Sequence, residues 1–256
     1  MKLQNSHKIM SIKLFYRAIF ECKSRPYDEL WRAVDESLRD YYPEETKGWS
    51  FGTKKVKRED IYKRYQVSFG RAFTEKISIS IGRDGSRDFK IVMITMHEHN
   101  IKFIDDVTRT LSNDTGYIYS VVTDYDFHSW QNAATPYSYI MANKPHEHIP
   151  RLPGQELGKD LWNERLDLSS NPGRTVFHMG YVESIGGVMY VTDKLTALTQ
   201  GNLTELHQLP FLKIDDWGTC LRLELDPELL AHAENDANLC SHMDAVRAIL
   251  FPQKTK

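Results

Sequence analysis

Hydrophobic and polar residues alternate most clearly at positions 77–81, where isoleucine and serine take turns. A period of two puts one kind of side chain on each face of a strand, so this stretch predicts a half-buried β-strand. Asp84-Gly85 follows as a turn signal, because glycine adopts positive φ without a steric penalty. The apolar run 89–96 then completes a predicted hairpin.

Apolar residues recur at intervals of three and four in longer stretches, which predicts amphipathic helices. The first covers 25–42 and ends at Pro43, because the residue before a proline disfavours helical geometry. The second covers 100–111, and the third, 237–250, lies near the end of the chain.

Two further helices are predicted, and the one that starts at Asp226 has the clearest helix signals in the chain. Residues 195–206 have a largely helical pattern. Asp226 followed by Pro227 indicates a helix start, because aspartate accepts backbone N–H bonds as an N-cap and proline fits the first helical position.

The remaining β-rich stretches are short. They are 11–21, 117–123, 175–182, 188–192, 211–214 and 220–225. Gly186-Gly187 separates the third from the fourth, which predicts a second hairpin. The chain begins with strands, has helices among the later strands and ends in a helix, and this order predicts an α+β fold. We expect mixed or mostly antiparallel sheets, flanking helices and a helical C-terminus.

Five prolines interrupt the pattern between positions 136 and 173 and leave room for one short helix at 156–166. This segment belongs either to a single domain over 1–256 or to a connection between two lobes, 1–135 and 174–256. The sequence leaves both interpretations open.

Composition narrows the class of protein. The chain has 256 residues, of which 41% are hydrophobic and 27% charged, the balance of a folded globular protein. A formal net charge of −2 argues against a dedicated nucleic-acid or membrane-surface binder. Three cysteines without a CxxC pair do not indicate a disulfide framework or a zinc site. We expect a cytoplasmic protein, since the apolar stretch 10–20 is interrupted by Lys13 and Arg17.

Two His-Glu-His triplets raise the question of a metal site. In a strand, His97 and His99 share a face, and His146 and His148 could complete the ligands from a loop. Neither triplet has the HExxH spacing. The alternatives are a metal-dependent hydrolase, or the polar end of a strand and a solvated loop. No nucleophile elbow or phosphate-binding loop accompanies the triplets, so we predict no catalytic residue and no cofactor.

Two other stretches combine aspartate with tryptophan. Their residues are Asp124, Asp126, Trp130, Asp215, Asp216 and Trp217. Exposed aromatic rings edged by carboxylates are typical of surfaces that bind proteins rich in arginine or lysine. The alternative is that both tryptophans are core residues with one hydrated end. These six residues are therefore our candidate partner-binding residues.

The order of elements carries a family resemblance. The second half has an aromatic-containing strand, a glycine step, a strand, a helix, a tryptophan, a further strand and Asp-Pro before an alanine-rich helix. These features are 177–182, Gly186-Gly187, 188–192, Trp217, 221–225 and Asp226-Pro227. The first half has an initial strand, the helix with Trp31 and the step Gly48-Trp49. This order resembles the immunity protein 52 family, found beside toxins of polymorphic and type VI secretion systems.

The resemblance implies a cytoplasmic antidote that binds and neutralises its cognate secreted toxin. The family's usual partner is a restriction-endonuclease-like nuclease, and its members are not expected to be catalytic or to need a cofactor. Direct contact with nucleic acid or membrane is not expected either. The alternatives are a metal-dependent hydrolase that uses the histidine triplets and an adaptor without a toxin partner. The oligomeric state and the geometry of inhibition stay open.

Overall fold

Antiparallel pairing organises the chain. The structure is a computed structural model that describes residues 13–43, 49–51, 53–67, 70–84, 86–152, 164–233 and 236–252. Its strands are β1 (Leu14–Glu21), β2 (Ser50–Phe51), β3 (Lys54–Lys55), β4 (Gly70–Phe73), β5 (Ile77–Asp84), β6 (Phe89–Met96), β7 (Tyr117–Asp124), β8 (Val176–Phe177), β9 (Val182–Glu183), β10 (Val188–Val191), β11 (Lys213–Asp216) and β12 (Leu221–Glu224). Its helices are α1 (Tyr27–Tyr41), α2 (Arg58–Val67), α3 (Ile101–Ser112), α4 (Tyr125–Gln131), α5 (Pro136–Met141), α6 (Asp193–Thr199), α7 (Leu203–Leu206) and α8 (Ala237–Leu250).

Within the described ranges, ten strands form one sheet in the order β11-β12-β10-β7-β1-β6-β5-β4-β2-β3, and the neighbours pair antiparallel. Strands β8 and β9 form a separate ribbon. Strand β10 pairs with β7, so strands from both sides of the proline-rich segment lie in the same sheet. The division into one domain or two lobes stays a prediction.

Strand β1 lies in the middle of the sheet and is buried on both faces. Its alternate residues Tyr16 and Ala18 belong to one core, whereas Ile19 belongs to the other. A strand covered on both faces needs apolar side chains at nearly every position, and β1 has them except at Arg17 and the exposed Glu21.

Helices cover the two faces of the sheet. On one face, α1, α2 and α3 pack Trp31, Ile61 and Phe103 into the core, and we call this the α1/α3 face. On the other, which we call the α8 face, α6 and α8 contribute Leu195 and Met243. The predicted α+β class, the mostly antiparallel sheet and the helical C-terminus are confirmed. None of the described helices is long and apolar enough to cross a bilayer.

Several local predictions are confirmed. Strands β5 and β6 pair along their whole length, as the predicted hairpin requires, although Gly85 of its turn lies outside the described residues. Helices α1, α3 and α8 match the three periodic stretches. The predicted helix 195–206 is interrupted at Gln200, whose φ of 65° is left-handed, and divides into α6 and α7. Most of the helix predicted at 156–166 lies outside the described residues.

The second predicted hairpin is wrong. Strand β10 pairs with β7 and β12, and β8 pairs with β9. The two glycines are needed for close packing and do not form a turn between those strands. A Cβ on Gly186 would lie 2.3 Å from the carbonyl oxygen of Val122, and a Cβ on Gly187 would lie 2.5 Å from the Cα of Leu229.

The helix predicted to start at Asp226 is also wrong. The carboxylate does accept N–H bonds from Glu228 at 3.0 Å and Leu230 at 2.8 Å, but the chain continues in turns. Leu229 and Leu230 have positive φ, at 59° and 70°. This unfavourable backbone sends the two adjacent leucines into opposite cores, where both are fully buried.

We predict that Trp31→Ala lowers the free energy of unfolding by about 3–5 kcal/mol, because it removes a fully buried ring and leaves a cavity. The Trp31 ring meets Trp49 edge-on, with centroids 5.4 Å apart. Urea denaturation measures the loss. Glu36→Ala on the exposed side of α1 is the control and changes the value by less than about 0.5 kcal/mol. An unchanged value for Trp31→Ala contradicts the packing described.

Candidate functional site

The candidate residues Asp215, Asp216 and Trp217 lie in a hairpin made by β11 and β12, residues 213–224, at one edge of the sheet. The turn closes where the N–H of Trp217 donates to the carbonyl of Cys220 at 3.0 Å. The carboxylate of Asp216 accepts from the N–H of Gly218 at 2.7 Å, and Gly218 has a φ of +78°. Asp216 therefore shapes the turn and is also exposed.

Asp215 belongs to a network of charges centred on the buried Arg222. The Arg222 guanidinium donates to Asp105 on α3 at 3.0 Å and to Glu224 at 2.7 Å. It also lies 3.6 Å from the carboxylate of Asp215. Lys213 approaches Glu224 at 3.7 Å and Asp215 at 4.0 Å. The network ties the edge hairpin to α3.

The network keeps Arg222 charged. Burial by itself lowers the pKa of Arg222, but the hydrogen bonds to Glu224 and Asp105 outweigh it and raise that pKa above its ordinary value. Tyr190 donates its hydroxyl to Asp105 at 2.5 Å. Burial and then the Asp105 charge raise the pKa of Tyr190 well above its ordinary value, so it stays a neutral donor.

Trp217 is half-buried beside this network. The guanidinium carbon of Arg109 lies 3.6 Å from the centre of its ring, and the Tyr190 ring lies 5.3 Å away. A cation over an aromatic face is an attractive contact. Trp217 thus packs partly on the core of the α1/α3 face and partly faces solvent.

The other candidates lie at the end of β7 and on α4. Asp124 is buried and caps α4 by accepting from the N–H of Phe127 at 2.9 Å. Asp126 is exposed in the first turn, where a carboxylate complements the helix dipole. Trp130 is half-buried, with the Tyr139 ring at 6.1 Å and the Lys144 ammonium at 5.8 Å.

The structure brings these six candidates together as two patches, not one. Asp124 and Asp216 are three strand spacings apart across the sheet and five residues apart along it, which is roughly 20 Å. The hairpin patch offers the more accessible carboxylates, because Asp124 is already used as a buried cap.

The histidine triplets do not form a cluster. His97 and His99 follow the end of β6 and are not in the strand, so the expected sharing of a strand face is wrong. His99 contacts the carbonyl of Lys13 at 3.0 Å. His146 is buried in a different loop, and His148 is exposed. Among the described residues, no group of three or more His, Cys, Asp or Glu side chains could hold a metal ion.

Sequence reasoning missed a cleft of about 1010 Å³ on the α8 face. Its lining residues are Ser169, Arg174, Val176, His178, Met179, Tyr181, Glu183, Leu198, Thr199, Asp244, Arg247, Ala248, Phe251 and Pro252. Glu183 pairs with Arg247, with Arg174 at 3.6 Å and with His178 at 3.2 Å. The Tyr181 ring stacks between those of His178 and Phe251. No motif could reveal this cleft, because its two arginines are 73 positions apart.

A buried cation lies close to the segment that lines the cleft. Arg17 points to the α8 face and contacts the Thr175 hydroxyl at 3.5 Å and the His128 ring nitrogen at 3.4 Å. The rings of Phe15 and Phe177 lie 4.9 and 5.6 Å from its guanidinium carbon. Burial lowers the pKa of Arg17 to about 10. Burial, and then the charge of Arg17, lower the pKa of His128 to about 3.

The fold and these patches define an α+β protein with a ten-stranded antiparallel sheet, an acidic hairpin at its edge and a cleft on the α8 face. No protein-family model matches the chain, and no curated protein matches it. Among solved structures, the chain is similar to the Pseudomonas aeruginosa T6SS protein PA0821, with a TM-score of 0.56 and 11% sequence identity. The match covers 94% of this chain and 73% of that chain. At this identity the similarity shows a shared fold.

We predict a pH-dependent difference in stability between the protein and its His128→Gln variant. In the unfolded chain His128 gains a proton as the pH falls through about 6.5, whereas in the folded protein it stays neutral down to about 3. Acid therefore destabilises the protein relative to the variant, by up to about 1.4 kcal/mol per pH unit in this window.

Urea denaturation at pH 7.5, 6 and 5 measures this difference. Above pH 7.5 the difference in free energy of unfolding between the protein and its His128→Gln variant should be constant, which is the internal control. A difference that stays constant down to pH 5 would mean that folded His128 accepts a proton beside Arg17, contrary to the burial described.

Proposed function

We propose that this chain is an immunity protein that binds and neutralises a cognate secreted nuclease toxin. One observation carries the proposal: nearly the whole chain shares its fold with a protein of a type VI secretion system. The order of elements that resembles the immunity protein 52 family supports the same function. The proposal places the protein in the cytoplasm and requires neither a catalytic residue nor a cofactor.

The edge hairpin is the proposed toxin-binding surface. A nuclease must hold the phosphates of its substrate, so its cleft carries lysine and arginine. The negative carboxylates of Asp215, Asp216 and Glu224 complement these positive side chains, and the half-buried Trp217 offers an aromatic contact. Occlusion of the cleft or of the adjacent substrate-binding surface would then stop cleavage. Asp124, Asp126 and Trp130 form a second candidate patch.

The negative charge of the edge hairpin would favour fast association with a basic toxin. An antidote must bind newly encountered toxin before the toxin finds its substrate, and complementary charge raises association rates toward ~10⁸–10⁹ M⁻¹s⁻¹ at low salt. The net charge of −2 is too small for mimicry of a whole nucleic-acid duplex. A local acidic patch on a nearly neutral protein is the arrangement that the proposal requires.

Co-expression with the toxin encoded by the adjacent gene tests the function. We expect growth of cells that the toxin alone would kill, and a complex that stays together on gel filtration. Unrelieved killing without a complex would overturn the proposal. An adaptor that binds a different partner, the competing function, would give that negative result.

We predict that Asp215→Asn combined with Asp216→Asn slows association with the toxin about tenfold at low salt, because two carboxylates are lost while the turn keeps an acceptor. Stopped-flow or surface plasmon resonance measures the rate at several salt concentrations, and the gap should narrow as salt rises.

The exposed Glu36→Gln on α1 is the matched control and should leave the rate unchanged. Asp126→Asn reports on the α4 patch in the same assay. Equal rates for the double variant and the unaltered protein at low salt would exclude the hairpin as the interface, provided that both have the same melting temperature.

A further inference from the structure

Strand β11 is the last strand at one edge of the ten-stranded sheet. Among the residues that the structure describes, it pairs with β12 only, from Lys213 opposite Glu224 to Asp216 opposite Leu221. The opposite edge of the sheet is β3, whose two residues are lysines. The two edges thus differ in charge: β3 carries Lys54 and Lys55, whereas β11 carries Asp215 and Asp216 beside a single cation, Lys213.

The register reveals which main-chain groups of β11 point away from the sheet. In an antiparallel pair, opposed residues alternate between hydrogen-bonded and non-hydrogen-bonded positions. Trp217 donates to Cys220 at 3.0 Å, so alternate residues Asp215 and Lys213 also direct their main-chain groups toward β12. Ile214 and Asp216 must then direct their N–H and C=O groups outward.

An independent contact on the other side of β12 gives the same assignment of inward and outward main-chain groups. Leu225 donates to the carbonyl of Gly187 at 2.8 Å, so its main chain points toward β10. Its neighbour Glu224 therefore points toward β11 and pairs with Lys213. Among the described residues, none makes a hydrogen bond to the main chain of Ile214 or Asp216 outside the β11–β12 ladder.

We propose that the toxin adds a strand to the edge of β11, pairing with the outward N–H and C=O groups of Ile214 and Asp216. This inference rests on the proposed function and specifies the mode of recognition. Strand addition to an open sheet edge uses main-chain hydrogen bonds for affinity and alternate side chains for specificity.

Charge complementarity identifies the incoming strand. The hairpin and the α3 side chains that contact it hold four carboxylates, Asp105, Asp215, Asp216 and Glu224, against three cations, Arg109, Lys213 and Arg222, a net charge of −1. The strand should carry lysine or arginine where it faces these carboxylates. A second copy of the chain would bring the same negative edge against this one, which is unfavourable.

The two faces of β11 predict the side-chain pattern of the incoming strand. Asp215 lies opposite Arg222 and therefore faces the α1/α3 side, whereas Ile214 packs beside Leu223 in the core of the α8 face. The toxin strand should therefore place a basic residue beside Asp215 and an apolar residue beside Ile214. Alternate positions meet these two demands in an extended segment.

Ile214→Pro tests the main-chain pairing. The N–H of Ile214 points away from β12, so proline removes a group that no described residue of the free protein contacts, and it blocks the approach of a strand. We expect affinity for the nuclease domain encoded by the adjacent toxin gene to fall at least about tenfold. Ile214→Val, which keeps the N–H, is the matched control and should bind like the unaltered protein.

Amide hydrogen exchange gives a second measurement that needs no variant. In the free protein, the amides of Ile214 and Asp216 should exchange quickly and those of Lys213 and Asp215 slowly. In the complex with the same nuclease domain, Ile214 and Asp216 should become protected.

The outcomes separate the two proposals. A complex that forms without protection at Ile214 and Asp216, or that Ile214→Pro leaves unchanged, overturns strand addition and leaves the immunity function standing. Failure of the unaltered protein to bind or neutralise the toxin overturns both. A concentration-dependent dimer that Ile214→Pro abolishes would mean that the edge pairs with a second copy, and it also contradicts the proposal.

Discussion

The pairing of β7 with β10 is the interaction on which the rest of the structure depends. All eight residues of β7 are buried, and the strand connects the central β1 to β10. Strands β12 and β11 are connected to the rest of the sheet through β10. The close approach of Gly186 to the main chain of Val122 fixes the docking of β10 on β7, since any side chain at position 186 would collide with it. The position of the edge hairpin is therefore a consequence of packing far from it.

Polar groups buried between sheet and helices have different consequences on the two faces. On the α1/α3 face, Arg222 meets carboxylates and stays charged, which ties the edge hairpin to α3. On the α8 face, Arg17 has neutral partners in the Thr175 hydroxyl and the His128 ring. A buried charge stabilises a fold only when its partners compensate for lost hydration. The first arrangement specifies the geometry of an edge, and the second predicts a stability that depends on pH.

The sequence predicted elements whose pattern is local, and it failed where distant contacts decide. Periods of two and of 3.6 residues predicted the β5–β6 hairpin and helices α1, α3 and α8, because each presents one regular face to a core. Nothing local indicates that Leu229 and Leu230 must enter opposite cores, so Asp226 was mistaken for a helix start. The two aspartates of the hairpin are adjacent in sequence, so the sequence alone could propose them as candidate binding residues. The cleft could not be predicted, because Arg174 and Arg247 are distant in sequence and meet only in the folded protein.

An edge strand divides the task of recognition between two kinds of group. Main-chain N–H and C=O groups are the same in every protein, so the proposed pairing along Ile214 and Asp216 would give affinity without discrimination. Discrimination must come from side chains, and β11 offers a carboxylate on one face and a half-buried isoleucine on the other. Short, charged edges ordinarily prevent pairing with other strands. Here the charge is negative, so the same property that repels a like edge would favour a basic strand. If a toxin strand pairs here as proposed, the sign of the charge at this edge, more than its main chain, would decide which partner binds.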